Sequence, residues 1–203
     1  MAVLKSIRRA CNQIADRGKG AKRYTDPVAA KAAPNLTNED VLELKREMDG
    51  LKYKDLCFKR QTKPYCTLMN IVEDPYYDIS VFTVPKGATI PIHDHPSMTV
   101  LSKILYGSLQ VSAYDVVKEE GSGSLFNLVG KEQTVVDENQ STQVILPSSF
   151  NLHELHALED SAFFDILWPP YDHYLRTCTY YAPTPENPKQ LQPAIYPNFR
   201  CEL

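Results

Sequence analysis

Short runs of β-branched and aromatic residues, separated by glycine, proline, asparagine and aspartate, dominate the chain after residue 53. Runs of this kind predict strands. Because no helical stretch lies between them, they favour an all-β fold, an antiparallel sandwich or a barrel. The predicted strands are Ile79–Val84, Thr99–Leu105, Leu109–Val117, Thr134–Val136, Gln143–Leu146, Asn151–Leu158 and Ala162–Trp168.

The first fifty residues have a helical pattern instead. Apolar residues at helical spacing over residues 1–20 predict an amphipathic helix, and Thr37 caps a second predicted helix over 38–49 that ends at Gly50. With 203 residues in all, we predict one domain, 1–203, in which the helical extension 1–50 packs on the barrel.

Composition excludes several classes of function. A formal net charge of -3 argues against an electrostatic nucleic-acid binder, and no run approaches the ~18 apolar residues of a membrane helix. Five cysteines without a CxxC pair indicate free thiols in a reducing compartment. We therefore expect a monomer in the cytoplasm, with the nucleus also open. A transit peptide is the alternative reading of the basic N-terminus.

Candidate metal ligands occur in the run from Gly87 to Gly107, which contains His93 and His95. Two histidines at i and i+2 on a strand share a face and lie about 7 Å apart along it, close enough to bind one metal ion. The spacing resembles the first motif of the cupin superfamily, except that Val100 stands where many cupins have a glutamate ligand. Neutral nitrogen ligands suit Fe, Zn, Cu or Ni.

A third ligand is expected from a later strand, and His153 and His156 are the candidates. Three residues apart, they point to opposite faces of a strand, so both cannot reach the same ion. Spacing alone leaves the choice open. The run from Pro147 to His153 loosely matches the second cupin motif, without its glycine and one residue longer, and this favours His153.

Four runs together resemble the thiol dioxygenases that comprise cysteamine dioxygenase and the plant cysteine oxidases. They are 93–109, 151–153, 165–172 and 178–181, within a resemblance that extends from about residue 53 to 181. It implies a cupin-type double-stranded β-helix, or jelly-roll barrel, with His93, His95 and His153 holding one Fe(II). It also implies oxidation of a thiol to a sulfinic acid with O2. The implied substrates are cysteamine and the N-terminal cysteine of proteins, whose degradation then depends on oxygen.

Four further residues are candidates for the site. Asp165 lies in an apolar run, where a carboxylate must be hydrogen-bonded or paired, so it serves either structure or the reaction. The resemblance places a functional aspartate there and the Tyr171 hydroxyl at the mouth of the site. Cys178 and Tyr180, at i and i+2, are close enough to touch on a strand. In some family members such a pair forms a thioether crosslink.

Three other readings remain. Free-cysteine dioxygenases need a cation for the substrate carboxylate, and no arginine lies in the motif strands; the cations considered in the barrel half are Lys103, Lys118, Lys131 and, later, Arg176. A non-catalytic metal-binding cupin would consume no O2. A zinc or nickel hydrolase or isomerase on the same barrel would be indifferent to oxygen.

Overall fold

Two helices precede twelve strands in the part of the chain that the structure describes. The computed structural model describes residues 2–17, 35–56, 60, 63–119, 124–172, 174, 176–199 and 201–202. Residues 18–20 of the first predicted helix lie outside these ranges. The helices are α1 (Ala2–Arg17) and α2 (Asn38–Asp49), followed by a 3-10 turn at Tyr53–Asp55. The strands are β1 (Cys66–Glu73), β2 (Asp78–Val84), β3 (Thr89–His93), β4 (Thr99–Tyr106), β5 (Ser108–Lys118), β6 (Phe126–Asp137), β7 (Gln143–Ile145), β8 (Leu152–Ala157), β9 (Ser161–Trp168), β10 (Tyr181–Pro183), β11 (Gln190–Pro193) and β12 (Cys201–Glu202).

The strands form two six-stranded sheets. The first sheet has the order β12-β1-β2-β9-β4-β7, and the second has the order β10-β11-β6-β5-β8-β3. All neighbours are antiparallel except β1 and β12. Side chains from both sheets line one internal cavity. This is the cupin-type double-stranded β-helix that the sequence predicts.

Both helices pack on the outer face of the first sheet. Ile7 of α1 and Leu44 of α2 are fully buried in one cluster with Val81, Phe164 and Ile166 of the sheet. The cap predicted at Thr37 is present as a capping box, since the Thr37 hydroxyl accepts from the Asp40 amide and the Thr37 amide donates to the Asp40 carboxylate. Because helices and sheet share this core, we propose that the chain forms one domain.

Several strands differ from their predicted extents. β3 contains Pro91, which obscures the strand pattern but is tolerated because β3 is an edge strand. β6 is much longer than the predicted Thr134–Val136; the sequence pattern misses the rest because half of its side chains are exposed and only Val136 is buried. The C-terminal stretch contributes three short strands. No described helix is long and apolar enough to cross a bilayer.

The two motif glycines have different constraints. Both adopt a left-handed φ, +80° at Gly87 and +78° at Gly107. A Cβ at Gly87 would meet nothing within 4 Å. At Gly107, in the turn between β4 and β5, it would lie 2.4 Å from both the Asp160 carbonyl oxygen and the Ser161 Oγ. Gly87 is therefore favoured by its backbone conformation alone, whereas Gly107 is required both by its conformation and by the close approach of the neighbouring chain.

We predict that Gly107→Ala destabilises the protein more than Gly87→Ala. The left-handed φ alone costs an alanine roughly 1–2 kcal/mol, which is the expected loss at Gly87. The backbone contacts at Gly107 add to that cost. Urea unfolding of the two variants measures the difference, and equal losses of unfolding free energy would contradict the steric argument.

Candidate metal centre

Three histidines from two neighbouring strands converge on one point. His93 is the last residue of β3 and pairs directly with His153 on β8, while His95 follows two residues later in the loop. One ring nitrogen of each lies within 4.8 Å of the others, and the Nε2 atoms of His93 and His153 are 3.1 Å apart. His156 is not part of the group, because its ring bonds the Thr89 hydroxyl on the other face of β8.

The three rings are neutral and oriented toward the centre. Burial lowers the pKa of His93 to about 4 and that of His95 to about 3, the latter also because His93 is adjacent. Burial lowers the pKa of His153 well below its usual range. The Nδ1 of His93 lies 2.8 Å from the Pro91 carbonyl oxygen. Since Nδ1 donates that bond, the Nε2 lone pair is free to bind a metal.

This donor set fits a borderline transition-metal ion. Imidazole nitrogen suits Fe, Zn, Cu and Ni, and three ligands leave positions open for other molecules. The group contains no carboxylate, and Val100, at the position where many cupins have a glutamate, is buried among apolar side chains. The cluster therefore has the composition of a neutral three-histidine metal site.

Asn151 holds the loop that contains His95. Its Oδ1 accepts a hydrogen bond from the His95 amide at 2.8 Å, and its Nδ2 donates to the His95 carbonyl oxygen at 3.0 Å. Its own carbonyl oxygen lies 3.3 Å from the His95 Nδ1. The sequence reasoning did not identify this role; the available signal was the position of Asn151 two residues before His153.

Asp165 faces an internal cavity that reaches His153 of the cluster. The cavity has a volume of about 500 Å³ and is lined by His153, Asp165 and side chains of both sheets. Asp165 is buried between Ser80 and Ser102 of the neighbouring strands. Ser102 hydrogen-bonds to the carboxylate, but the Oδ1 atom has no partner among the described residues. Burial raises the pKa of Asp165 to about 7.

Tyr171, Cys178 and Tyr180 lie beside the histidines but do not line this cavity. The Tyr171 ring is 5.7 Å from that of His95, and its hydroxyl donates to the Asp94 carbonyl oxygen at 2.6 Å. Tyr180 lies 5.8 Å from the His93 ring. Hydrogen bonds join the Cys178 thiol to both tyrosine hydroxyls. Cys178 is exposed and outside any strand, contrary to the predicted strand geometry.

The cations considered from the sequence all lie away from the cavity lining. Arg176 is buried, with Asp172 bound at 2.6 Å and the Pro170 carbonyl oxygen at 2.8 Å. The Lys103 ammonium donates to the carbonyl oxygens of Glu138 and Gln140. None of the described residues that line the cavity is a lysine or an arginine.

Comparison with known proteins identifies a family. The PCO_ADO family profile matches residues 33–196. Relatives include a probable 2-aminoethanethiol dioxygenase of Dictyostelium discoideum, 36% identical over 65% of this chain and 63% of that one. Plant cysteine oxidase 2 of Arabidopsis thaliana is 30% identical over 71% of this chain and 58% of that protein. The 2-aminoethanethiol dioxygenase of Homo sapiens is 28% identical over 86% of this chain and 77% of that protein. The chain thus spans less than two thirds of the length of the first two relatives.

Solved structures that resemble this chain have low sequence identity to it. A cupin superfamily protein of Desulfitobacterium hafniense is 12% identical, with a TM-score of 0.42 over 59% of this chain and 90% of that one. KdgF from Halomonas sp. is 17% identical, with a TM-score of 0.40 over 59% of this chain and 94% of that one.

We predict that Asn151→Ala weakens metal binding. The loop with His95 loses both side-chain bonds, and loss of such an outer contact typically lowers metal affinity about 10- to 100-fold. Titration with Co²⁺, followed by its absorption spectrum, gives the affinity. Asn139→Ala, which removes an exposed amide side chain in the turn after β6, is the matched control. Equal affinity in Asn151→Ala and wild type would show that Asn151 does not position His95.

Proposed function

Since this chain belongs to the PCO_ADO family, we propose that it is a non-haem iron thiol dioxygenase. It converts a thiol to a sulfinic acid with O2, and His93, His95 and His153 bind the Fe(II). The observation that carries this proposal is the buried, neutral three-histidine cluster at the wall of a cavity large enough for a substrate.

The site's own residues supply orientation. When bound, a ferrous ion supplies a Lewis-acid centre with open positions for the substrate thiolate and for O2. The Pro91 carbonyl oxygen holds the His93 ring, and Asn151 holds the backbone and the ring of His95. With these rings held in place, thiol and oxygen would meet in a fixed geometry.

Asp165 is proposed to bind the amino group of the substrate. Its buried Oδ1 lacks a partner, and the described lining contains no cation that would neutralise it. An ammonium group from the substrate would donate a hydrogen bond to this oxygen and neutralise the carboxylate. A free amino-acid carboxylate would find no cation in the same lining. This favours cysteamine or the N-terminal cysteine of a peptide over free cysteine, and oxidation of protein N-termini would make their turnover depend on oxygen.

The cluster of Tyr171, Cys178 and Tyr180 is proposed to shape the other side of the site. Tyr171 fixes the turn between His93 and His95 through its bond to the Asp94 carbonyl oxygen. The contact between Cys178 and Tyr180 allows a thioether to form, with O2 removing one hydrogen from the thiol and one from the ring.

Intact mass of the purified protein detects that loss of two hydrogens, and Cys178→Ser must abolish it.

Mass spectrometry of two thiols tests the activity. Iron-loaded protein is incubated in air with cysteamine and with a peptide that begins with cysteine. We expect each product to gain the mass of two oxygen atoms, and the gain to vanish without O2 and in His93→Ala. His156→Ala is the matched control, since His156 lies on the same strand but faces away from the cluster. It is expected to retain activity.

Other outcomes identify the competing functions. Iron bound at the histidines without oxidation of either thiol would contradict a dioxygenase and support a non-catalytic cupin. Turnover of another substrate with zinc or nickel, at the same rate without oxygen, would support a hydrolase or isomerase.

The role of Asp165 predicts a pH profile. With its pKa near 7, the carboxylate ionises as the pH rises through neutrality, whereas the ammonium of cysteamine remains charged. We expect kcat/KM for cysteamine to rise through pH 7 in wild type, and this rise to be lost in Asp165→Asn. Glu186→Gln, at an exposed position, is the control. A rise of the same size in Asp165→Asn would show that another group controls it.

The same group gives an independent stability readout. An acid whose pKa is raised by folding stabilises the native state fully below its unfolded pKa, about 3.9. That contribution is lost as the pH rises to the folded value near 7. Asp165→Asn should therefore gain unfolding free energy relative to wild type at pH 8 and less at pH 5. Urea unfolding at both pH values measures it, and a constant difference would contradict the burial of an unpaired charge.

A further inference from the structure

The cavity opens along the seam between β6 and β7. Its lining residues on that side are exposed, among them Glu132, Thr134, Gln143 and Ser149. The lining residues on β8 and β9, which include His153 and Asp165, are buried. A substrate that reaches the histidines through this cavity therefore passes between β6 and β7.

Glu132 lies at this mouth, in register with the metal cluster. Across the second sheet, Glu132 pairs with Ala113, Ala113 pairs with His153, and His153 pairs with His93. Directly paired residues share a face, so all four side chains point inward. Strands lie about 4.8 Å apart, which places the Cα of Glu132 about 10 Å from that of His153. Only the small side chain of Ala113 stands between them.

Two acids therefore face the cavity, one from each sheet. Asp165 is buried on β9, and Glu132 is exposed on β6. No hydrogen bond or ion pair within the described ranges involves the Glu132 carboxylate. The neighbouring Lys131 points to the opposite face, where its ammonium lies 5.4 Å from the Tyr114 ring centroid. The mouth thus presents an unneutralised negative charge to an entering molecule.

The cavity is much larger than cysteamine requires. Its volume of about 500 Å³ lies in the range of roughly 300–1,000 Å³ that holds drug-sized ligands. Cysteamine has only one nitrogen, two carbons and one sulfur as heavy atoms. An extended chain advances about 3.3–3.6 Å per residue. A peptide whose cysteine thiol lies at the histidines therefore places its second or third residue near Glu132.

We propose that Glu132 is a specificity-determining residue that pairs with a basic side chain at the second or third position of an N-terminal cysteine peptide. This inference rests on the proposed function, because the thiol must bind at the histidine cluster. Glu132 itself lies too far from the cluster to touch the reacting atoms, so its contribution is to peptide binding and selection.

A peptide series tests the pairing. Six peptides begin with cysteine and differ only in carrying lysine, glutamine or glutamate at position two or at position three. For iron-loaded wild type we expect kcat/KM to be about 1.5- to fivefold higher with lysine than with glutamine at one of these positions, the range for an exposed ion pair. Glutamate should be the poorest, and added salt should reduce the differences.

Charge reversal provides the decisive variant. Glu132→Lys should reverse the order and prefer glutamate, and Glu132→Gln should abolish the preference for lysine. Glu186→Gln, which removes an exposed acid elsewhere, should keep the wild-type order. An unchanged order in Glu132→Lys, or equal rates for lysine and glutamate peptides in wild type, would overturn the proposal.

Binding measurements separate this proposal from the activity itself. Absence of oxidation of any thiol by iron-loaded wild type would refute the dioxygenase. Fluorescence anisotropy with the same six peptides, labelled at their C-termini, then measures selection by affinity. A lysine preference that Glu132→Lys reverses supports the role of Glu132 in recognition, whereas equal Kd values for lysine and glutamate peptides refute it.

Discussion

Pairing of β3 with β8 is the interaction on which the site depends. It sets His93 directly opposite His153, and the Asn151 amide then ties the following loop so that His95 joins them. A slip of one residue in this register would turn His153 to the other face of the strand. The neighbouring strands fix the register from both sides, because β8 also pairs with β5 along its length.

Desolvation gives the site its electrostatic character. The same burial that keeps the three imidazoles neutral raises the pKa of Asp165, since each charged form loses water without gaining an opposite charge. Two serines beside Asp165 supply polar neighbours but no cation. The centre thus contains three converging imidazole nitrogens and a buried carboxylate oxygen without a partner among the described residues, and these are the groups to which the proposed metal ion and substrate ammonium would bind. A folded protein retains such unsatisfied groups where function requires them.

The sequence predicts features that depend on residues close together in the chain, and it misses features that depend on residues far apart in it. The strand runs predict the fold class, and the spacing of His93 and His95 indicates a metal site, because both are local patterns. Choosing His153 over His156 required a motif resemblance, since the strand alone leaves either face open. The position of Cys178 outside a strand and the role of Asn151 depend on loop conformation. The alignment of Glu132 with the histidines depends on strand register across three strands, which no local pattern encodes.

Oxidation under isotopically labelled oxygen tests the central claim most directly. Iron-loaded protein is incubated with cysteamine in ordinary water under labelled O2, and the mass of the sulfinate product is measured by mass spectrometry. We predict that both oxygen atoms of the new group carry the label. An oxygen atom derived from water, or no sulfinate at all, would contradict the assignment of the three-histidine cluster as a dioxygenase centre.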